Sequence, residues 1–219
     1  MSLLDFARGP ALQVALAVFV GGVAWRLLSL LLLPWARDRS VARPGAPSAL
    51  MGAVHGFVRH LWPPKPAPGN AVFVTLNSYV FHFGLAVIVL GLAQHILFLR
   101  GLFGVQWANL PSGLVSAVSV VTLAALVVAL AHRLVDPVVR LISTLNDYFS
   151  WFVTVVPVAS GLLAVSHLGA RYETLLAIHI LSVALLLIWF PFGKLMHAFL
   201  VFLTRSETGI LYSRRGAGI

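Results

Sequence analysis

The sequence predicts an all-α integral membrane bundle of five transmembrane helices. Three observations carry that prediction. Hydrophobic residues make up 60% of the 219 and charged residues only 10%, with a mean hydropathy of +0.97, and a soluble domain has no interior able to hide so much apolar surface. The apolar residues come in long continuous runs rather than the alternating segments of about ten residues that build a membrane barrel. The basic residues gather in the connections beside those runs, which is how a multi-pass protein marks its topology.

The first span is expected at residues 10–33. Its apolar run is too long for the core of a signal peptide and lacks a convincing A-x-A cleavage site, so it is expected to be retained. Arg26 lies inside it. A charge at that depth costs at least a few kcal/mol unless it is paired. It either meets a carboxylate, such as a cofactor propionate, or snorkels to the cytoplasmic surface. Residues 34–70 form the long connection, with Arg37, Arg39, Arg43, Arg59 and Lys65 against a single acid, Asp38. Within it, SALMGAVHGFVRHLW (48–62) predicts a helix lying at the membrane interface, and PPKPAPGN (63–70) an extended segment.

The second span is expected at 71–99, the third at 112–131, the fourth at 148–168 and the fifth at 174–204. Pro191 inside the fifth predicts a kink. Between the third and fourth spans, Asp136 before Pro137 predicts a turn or helix start. Asp147 and Arg140 at the entrance to the fourth suggest a cap or an ion pair. The connections 34–70 and 132–147 and the C-terminal tail hold most of the cations, while the opposite side shows only Arg8, Arg100 and Arg171. The positive-inside rule then places the N-terminus outside and the C-terminus in the cytoplasm. The net charge of +9 is accounted for by topology, not by nucleic acid. The chain has no cysteine, which excludes thiolate-held iron–sulfur clusters and zinc, CxxCH haem attachment and disulfides.

Histidine is the informative residue. His179 and His197 lie 18 residues apart in one apolar stretch. On a continuous helix that is about five turns and roughly 27 Å, one face of one rod, close to a hydrocarbon core of about 30 Å. His82 and His95 form a second pair on an antiparallel span. Matching levels pairs His82 with His197 near the cytoplasmic side and His95 with His179 near the outer side. Each pair is suited to clamp one haem iron through two neutral imidazoles. The thirteen residues from His82 to His95 correspond to about 220° of rotation on an ideal helix, so tilt, a local distortion or an offset of the haem around the bundle is required. Gly84 and Gly91, two turns apart, form a small-residue strip open to a macrocycle or to a neighbouring helix. Lys194, one turn before His197, either pairs with a propionate or snorkels. Of the remaining histidines, His55 and His60 belong to the interfacial segment, His132 to a helix end, and His167 is the substitute ligand should His95 fail.

These residues carry a resemblance. NSYVFHFGLAVIVLGLAQH (77–95), HRLVDPVVRLISTLNDYF (132–149) and IHILSVALLLIWFPFGKLMH (178–197) resemble the second span, the cytoplasmic turn and the fifth span of the respiratory nitrate reductase gamma subunit and its relatives in sulfur-metabolising redox complexes. The likeness covers roughly residues 71–204. It departs at one point: the nitrate reductase pattern has its second histidine where this chain has Leu92, and here histidine comes at His95.

The resemblance implies a di-haem cytochrome b of a bacterial or archaeal cytoplasmic membrane. Such a protein passes electrons between a quinone/quinol pool and a cytoplasmic-side iron–sulfur subunit, which serves a catalytic subunit. By position alone it places the quinone beside Arg100, Gln106 and Trp107. Trp107 also suits an interfacial anchor and Arg100 a snorkelling helix end. The other reading of the chain is a membrane anchor that holds one haem or none and docks soluble redox subunits. A transporter lacks support, since the sequence suggests no pair of broken helices, there is no inverted repeat and few acidic groups are buried.

Overall fold

The computed structural model describes residues 1–34, 40–63 and 69–217. Arg37, Asp38, Arg39, Lys65 and the middle of the proline-rich segment lie outside the described residues. Every regular element among the described residues is helical. Five helices are long and apolar enough to cross a bilayer: Leu3–Leu32, Ala71–Gly91, Ser112–Val135, Leu145–Ser166 and Tyr172–Trp189. Much of their apolar surface is exposed, with Trp25 at 69% and Phe83 at 68%. That is the pattern of a multi-pass membrane protein, because lipid and not water is the solvent such faces suit.

The first span starts earlier than the sequence predicts. Ser2 and Asp5 form a reciprocal capping box that opens α1 (Leu3–Phe6). The chain then runs without a stop through a π turn, Ala7–Ala11, into α2 (Leu12–Leu32). Pro10 lies in that π turn, a wider turn that accommodates a residue with no N–H to donate. The interfacial segment forms α3 (Ala49–Arg59), started by Ser48, whose hydroxyl accepts from the Met51 N–H. Leu50, Met51, Val54 and Val58 stay exposed along it. The opposite face packs on the C-terminal helix at Gly52 and Gly56, where a Cβ on Gly56 would run into the backbone of Gly209.

Two expected spans are each broken. The second is α4 (Ala71–Gly91) followed by α5 (Ala93–Phe103), with Leu92 between them at ψ 129°. The fifth is α9 (Tyr172–Trp189), then an irregular 190–193 turn, a 3-10 turn Lys194–Met196 and α10 (His197–Arg215). The structure thus replaces the kink expected at Pro191 with a full interruption, and His197 opens a new helix instead of sharing one rod with His179. Gly22 of α2 makes room for this turn, because a Cβ there would lie 2.6 Å from the Pro191 ring.

The third span is α6 (Ser112–Val135). Asp136 then caps α7 (Pro137–Leu141), accepting from the N–H groups of Val138 and Val139, and the Val139 N–H leads in holding its carboxyl below the usual carboxylate range. The fourth span is α8 (Leu145–Ser166), opened by a Thr144–Asp147 capping box. In the bundle α4 packs on α6, α6 on α8, α8 on α9 and α9 on α2. Among the described residues α4 and α9, which carry His82 and His179, share no extended backbone contact. The histidine rings meet instead between α4 and the start of α10, and between α5 and α9.

Candidate haem-ligand pairs

The fold brings together the two histidine pairs that matched levels suggest. The ring centroids of His82 and His197 are 6.1 Å apart with planes at 88°. Those of His95 and His179 are also 6.1 Å apart, with planes at 19°. Imidazole nitrogens sit about 2 Å from a bound transition metal, so two rings sharing one ion have centroids about 6 Å apart once the ring radii are added. Among the described residues no three His, Cys, Asp or Glu side chains converge on one point. Two nitrogens alone leave a bare ion short of ligands. They suit an ion whose remaining positions are filled by a planar macrocycle, as in a bis-histidine haem. The donor set therefore fits a b haem at each pair.

All four rings are held the same way. Nδ1 of His82 lies 2.8 Å from the Ser78 carbonyl, that of His95 2.9 Å from Ile88, that of His179 3.1 Å from Pro157, and that of His197 2.8 Å from Lys194. A carbonyl can only accept, so in each ring Nδ1 carries the proton and Nε2 keeps its lone pair for a metal. His60 makes a similar bond to Gly56 but has no partner imidazole, so that bond alone does not mark a ligand. His132 contacts Asn70 and Asp136. His167, the substitute for His95, sits at the left-handed end of α8 and stacks on Tyr172, while His95 itself faces His179.

Helix irregularities supply the acceptors. Pro157 lies inside α8, and its carbonyl is reached by His179 because Gly161, one turn later, has no Cβ; one placed there would lie 3.1 Å from the imidazole. Ser160 links the same ring to Ser182 on α9, at 3.3 Å and 3.1 Å. The interruption at Leu92 ends α4 and leaves its last carbonyls free of helical partners. Ile88 accepts from His95, Leu90 accepts from the Trp107 indole at 2.6 Å, and Gly91 accepts from the Leu110 N–H at 2.9 Å. This is the distortion that the 220° mismatch requires.

The other singled-out residues fall as follows. Gly84 and Gly91 admit neighbours rather than a macrocycle, for a Cβ on Gly84 would clash with Thr122 of α6 and one on Gly91 would lie 2.8 Å from Leu110. The Lys194 ammonium donates to Asp147 at 2.6 Å, a partner that neither expected role includes. Asp147 is 6% exposed, and its second oxygen lies 3.1 Å from Arg133; the ion pair at this entrance is with Arg133 and Lys194, not Arg140. Asn146 beside it accepts from the Lys194 N–H at 3.0 Å. Arg26 has no ion-pair partner among the described residues. It lines a cavity of about 740 Å³ with Lys194, His197, Leu200 and Arg205. Arg100, Gln106 and Trp107 lie at the opposite end of the bundle, on α5 and the loop that follows it.

Sequence reasoning missed Pro157, Gly161, Asn146 and the bond made by Trp107. A proline followed one turn later by glycine inside an apolar helix is the one signal that points to an approach of this kind. The others depend on partners far away in the chain.

No family model matches the chain. A protein of Nitratidesulfovibrio vulgaris (strain Hildenborough) is 33% identical to it over 221 residues, an alignment that covers 97% of this chain and 95% of the relative.

Proposed function

The chain belongs to the same family as this Nitratidesulfovibrio vulgaris protein, and on its own geometry we propose that it is a membrane cytochrome b subunit of a respiratory redox complex. His82 and His197 hold one b haem, and His95 and His179 hold the other. When bound, the two haems supply the one-electron chemistry that links a quinone/quinol pool to a cytoplasmic-side iron–sulfur subunit and its catalytic partner. The observation that carries this reading is the pair of facing imidazoles at 6.1 Å, found twice, with every Nδ1 committed to a carbonyl and every Nε2 left for a metal. The motif resemblance to the nitrate reductase gamma subunits, which includes these histidines, supports the same reading.

The surrounding residues take supporting roles. Arg26 opens on the same cavity as His197, and a haem carboxylate is the partner that relieves an intramembrane cation there. Lys194, tied to Asp147, instead anchors the turn that presents His197. At the other end Arg100 and Gln106 offer polar contacts for a quinone head group, with the Trp107 ring as an apolar wall. The N-terminus lies outside and the C-terminus in the cytoplasm of a bacterial or archaeal cell, so that the His82–His197 pair faces the iron–sulfur partner.

The test is a haem count and a reduced-minus-oxidised spectrum of the purified complex. Two b haems per chain are expected. Replacing His82 or His197 with Ala removes one of them, and replacing His95 or His179 removes the other. A chain with no b-type bands is a membrane anchor and not a cytochrome. Retention of both haems in His95→Ala disproves that ligand and makes His167 the next to replace.

A further inference from the structure

The break at Leu92 solves a geometric problem and creates an energetic one. On a continuous helix His95 would point well away from the direction of His82, and the extended residue between α4 and α5 lets His95 face His179 on α9 while His82 faces His197 at the start of α10. The same break strips the end of α4 of its helical hydrogen bonds, and in a bilayer an unmade backbone bond costs several kcal/mol. Three of the four affected carbonyls have new donors. One donor is His95 itself, through Ile88. The other two come from the outer loop: the Trp107 indole on Leu90 at 2.6 Å, and the Leu110 N–H on Gly91 at 2.9 Å.

We propose that Trp107 is a positioning residue for His95, stapling open the α4–α5 break so that the imidazole faces His179. Indole has a single polar hydrogen, and here it is spent on Leu90, so Trp107 offers no hydrogen bond to a quinone. Gly91 belongs to the same device. Its missing Cβ lets Leu110 come close enough for the neighbouring backbone bond, since a Cβ would sit 2.8 Å from the Leu110 side chain. The inference rests on reading His95 and His179 as haem ligands, and it adds what holds one of them in place.

The experiment uses the full-length complex and two variants, Trp107→Phe, which keeps an aromatic ring but loses the donor, and Gly91→Ala. His95→Ala and His197→Ala serve as references that assign each spectroscopic signal to its site. Haem content, the electron paramagnetic resonance signal and the midpoint potential of each site are read, with quinol kinetics alongside. Loss of a supporting hydrogen bond around a ligand typically weakens a metal site by about tenfold or more, and both variants are expected to do this at the outer site while the inner signal stays unmoved. Unchanged outer signals in both variants overturn the proposal, as does equal loss at both sites, which marks a general folding role. A raised quinol KM with an unmoved outer signal in Trp107→Phe, which keeps the apolar ring, also overturns it and reassigns the indole N–H to the quinone. Absence of haem from the wild type sinks the underlying cytochrome reading instead, and is seen before any variant is made.

Discussion

A histidine near a membrane surface is unremarkable by itself; what separates four of the eight here is a shared arrangement. Each has an imidazole partner and a proton fixed on Nδ1 by a backbone carbonyl. The two pairs differ in one respect that has an electronic consequence. When axial rings are parallel their π orbitals act on the same iron d orbital and split the set. When they are crossed, each acts on a different orbital and the set stays nearly degenerate. The His82–His197 pair is crossed at 88° and the His95–His179 pair nearly parallel at 19°. Electron paramagnetic resonance of the oxidised protein is therefore expected to show two low-spin ferric signals, one strongly anisotropic and one rhombic. His197→Ala deletes the anisotropic one. Two signals of the same type mean that the rings turn on binding.

Among the elements, the interruptions matter more than the helices. Each of the two broken spans presents one histidine at or just after its break, and each break is pinned from a neighbour. At Leu92 the pins come from the outer loop. At the 190–193 turn they come from α8, where Asn146 accepts from the Lys194 N–H and Asp147 from its ammonium, while the Lys194 carbonyl orients His197. Asp147 also binds Arg133 of α6, so one buried carboxylate ties three segments together. Replacing it strands two cations, but Arg133 and Lys194 are 32% and 55% exposed and water moderates the loss. Asp147→Asn is expected to lower stability by about 1–3 kcal/mol, seen as a lower melting temperature in detergent, with the inner haem released more readily than the outer. Equal release of both, or none, means that the carboxylate does not govern the placement of His197.

At the scale of the whole molecule, the grouping of cations in particular connections carries the proposed orientation, and that orientation has a direct test. The chain has no cysteine, which makes single-cysteine labelling clean. Ala108→Cys, in the loop after α5, is expected to react with a membrane-impermeant maleimide in intact cells. Val41→Cys, in the long connection and 94% exposed, is expected to react only after permeabilisation. The reverse pattern inverts the topology and places the His82–His197 pair on the outer side.

Composition and the lengths of the apolar runs by themselves determined the class, the five spans and the interfacial helix, because the preference of an apolar segment for lipid is a local property that adds up along the chain. They also determined which histidines share a level, since position along a helix is linear in residue number. Only the tertiary structure decided that the second and fifth spans break, that Lys194 is held by Asp147, that Gly84 faces Thr122, and that the two pairs of rings stand at different angles. A helix is interrupted without loss only if its freed carbonyls find donors. Those partners, the donors Trp107 and Leu110 for one break and the acceptors Asn146 and Asp147 of α8 for the other, lie far from the break in sequence, where no local pattern records them.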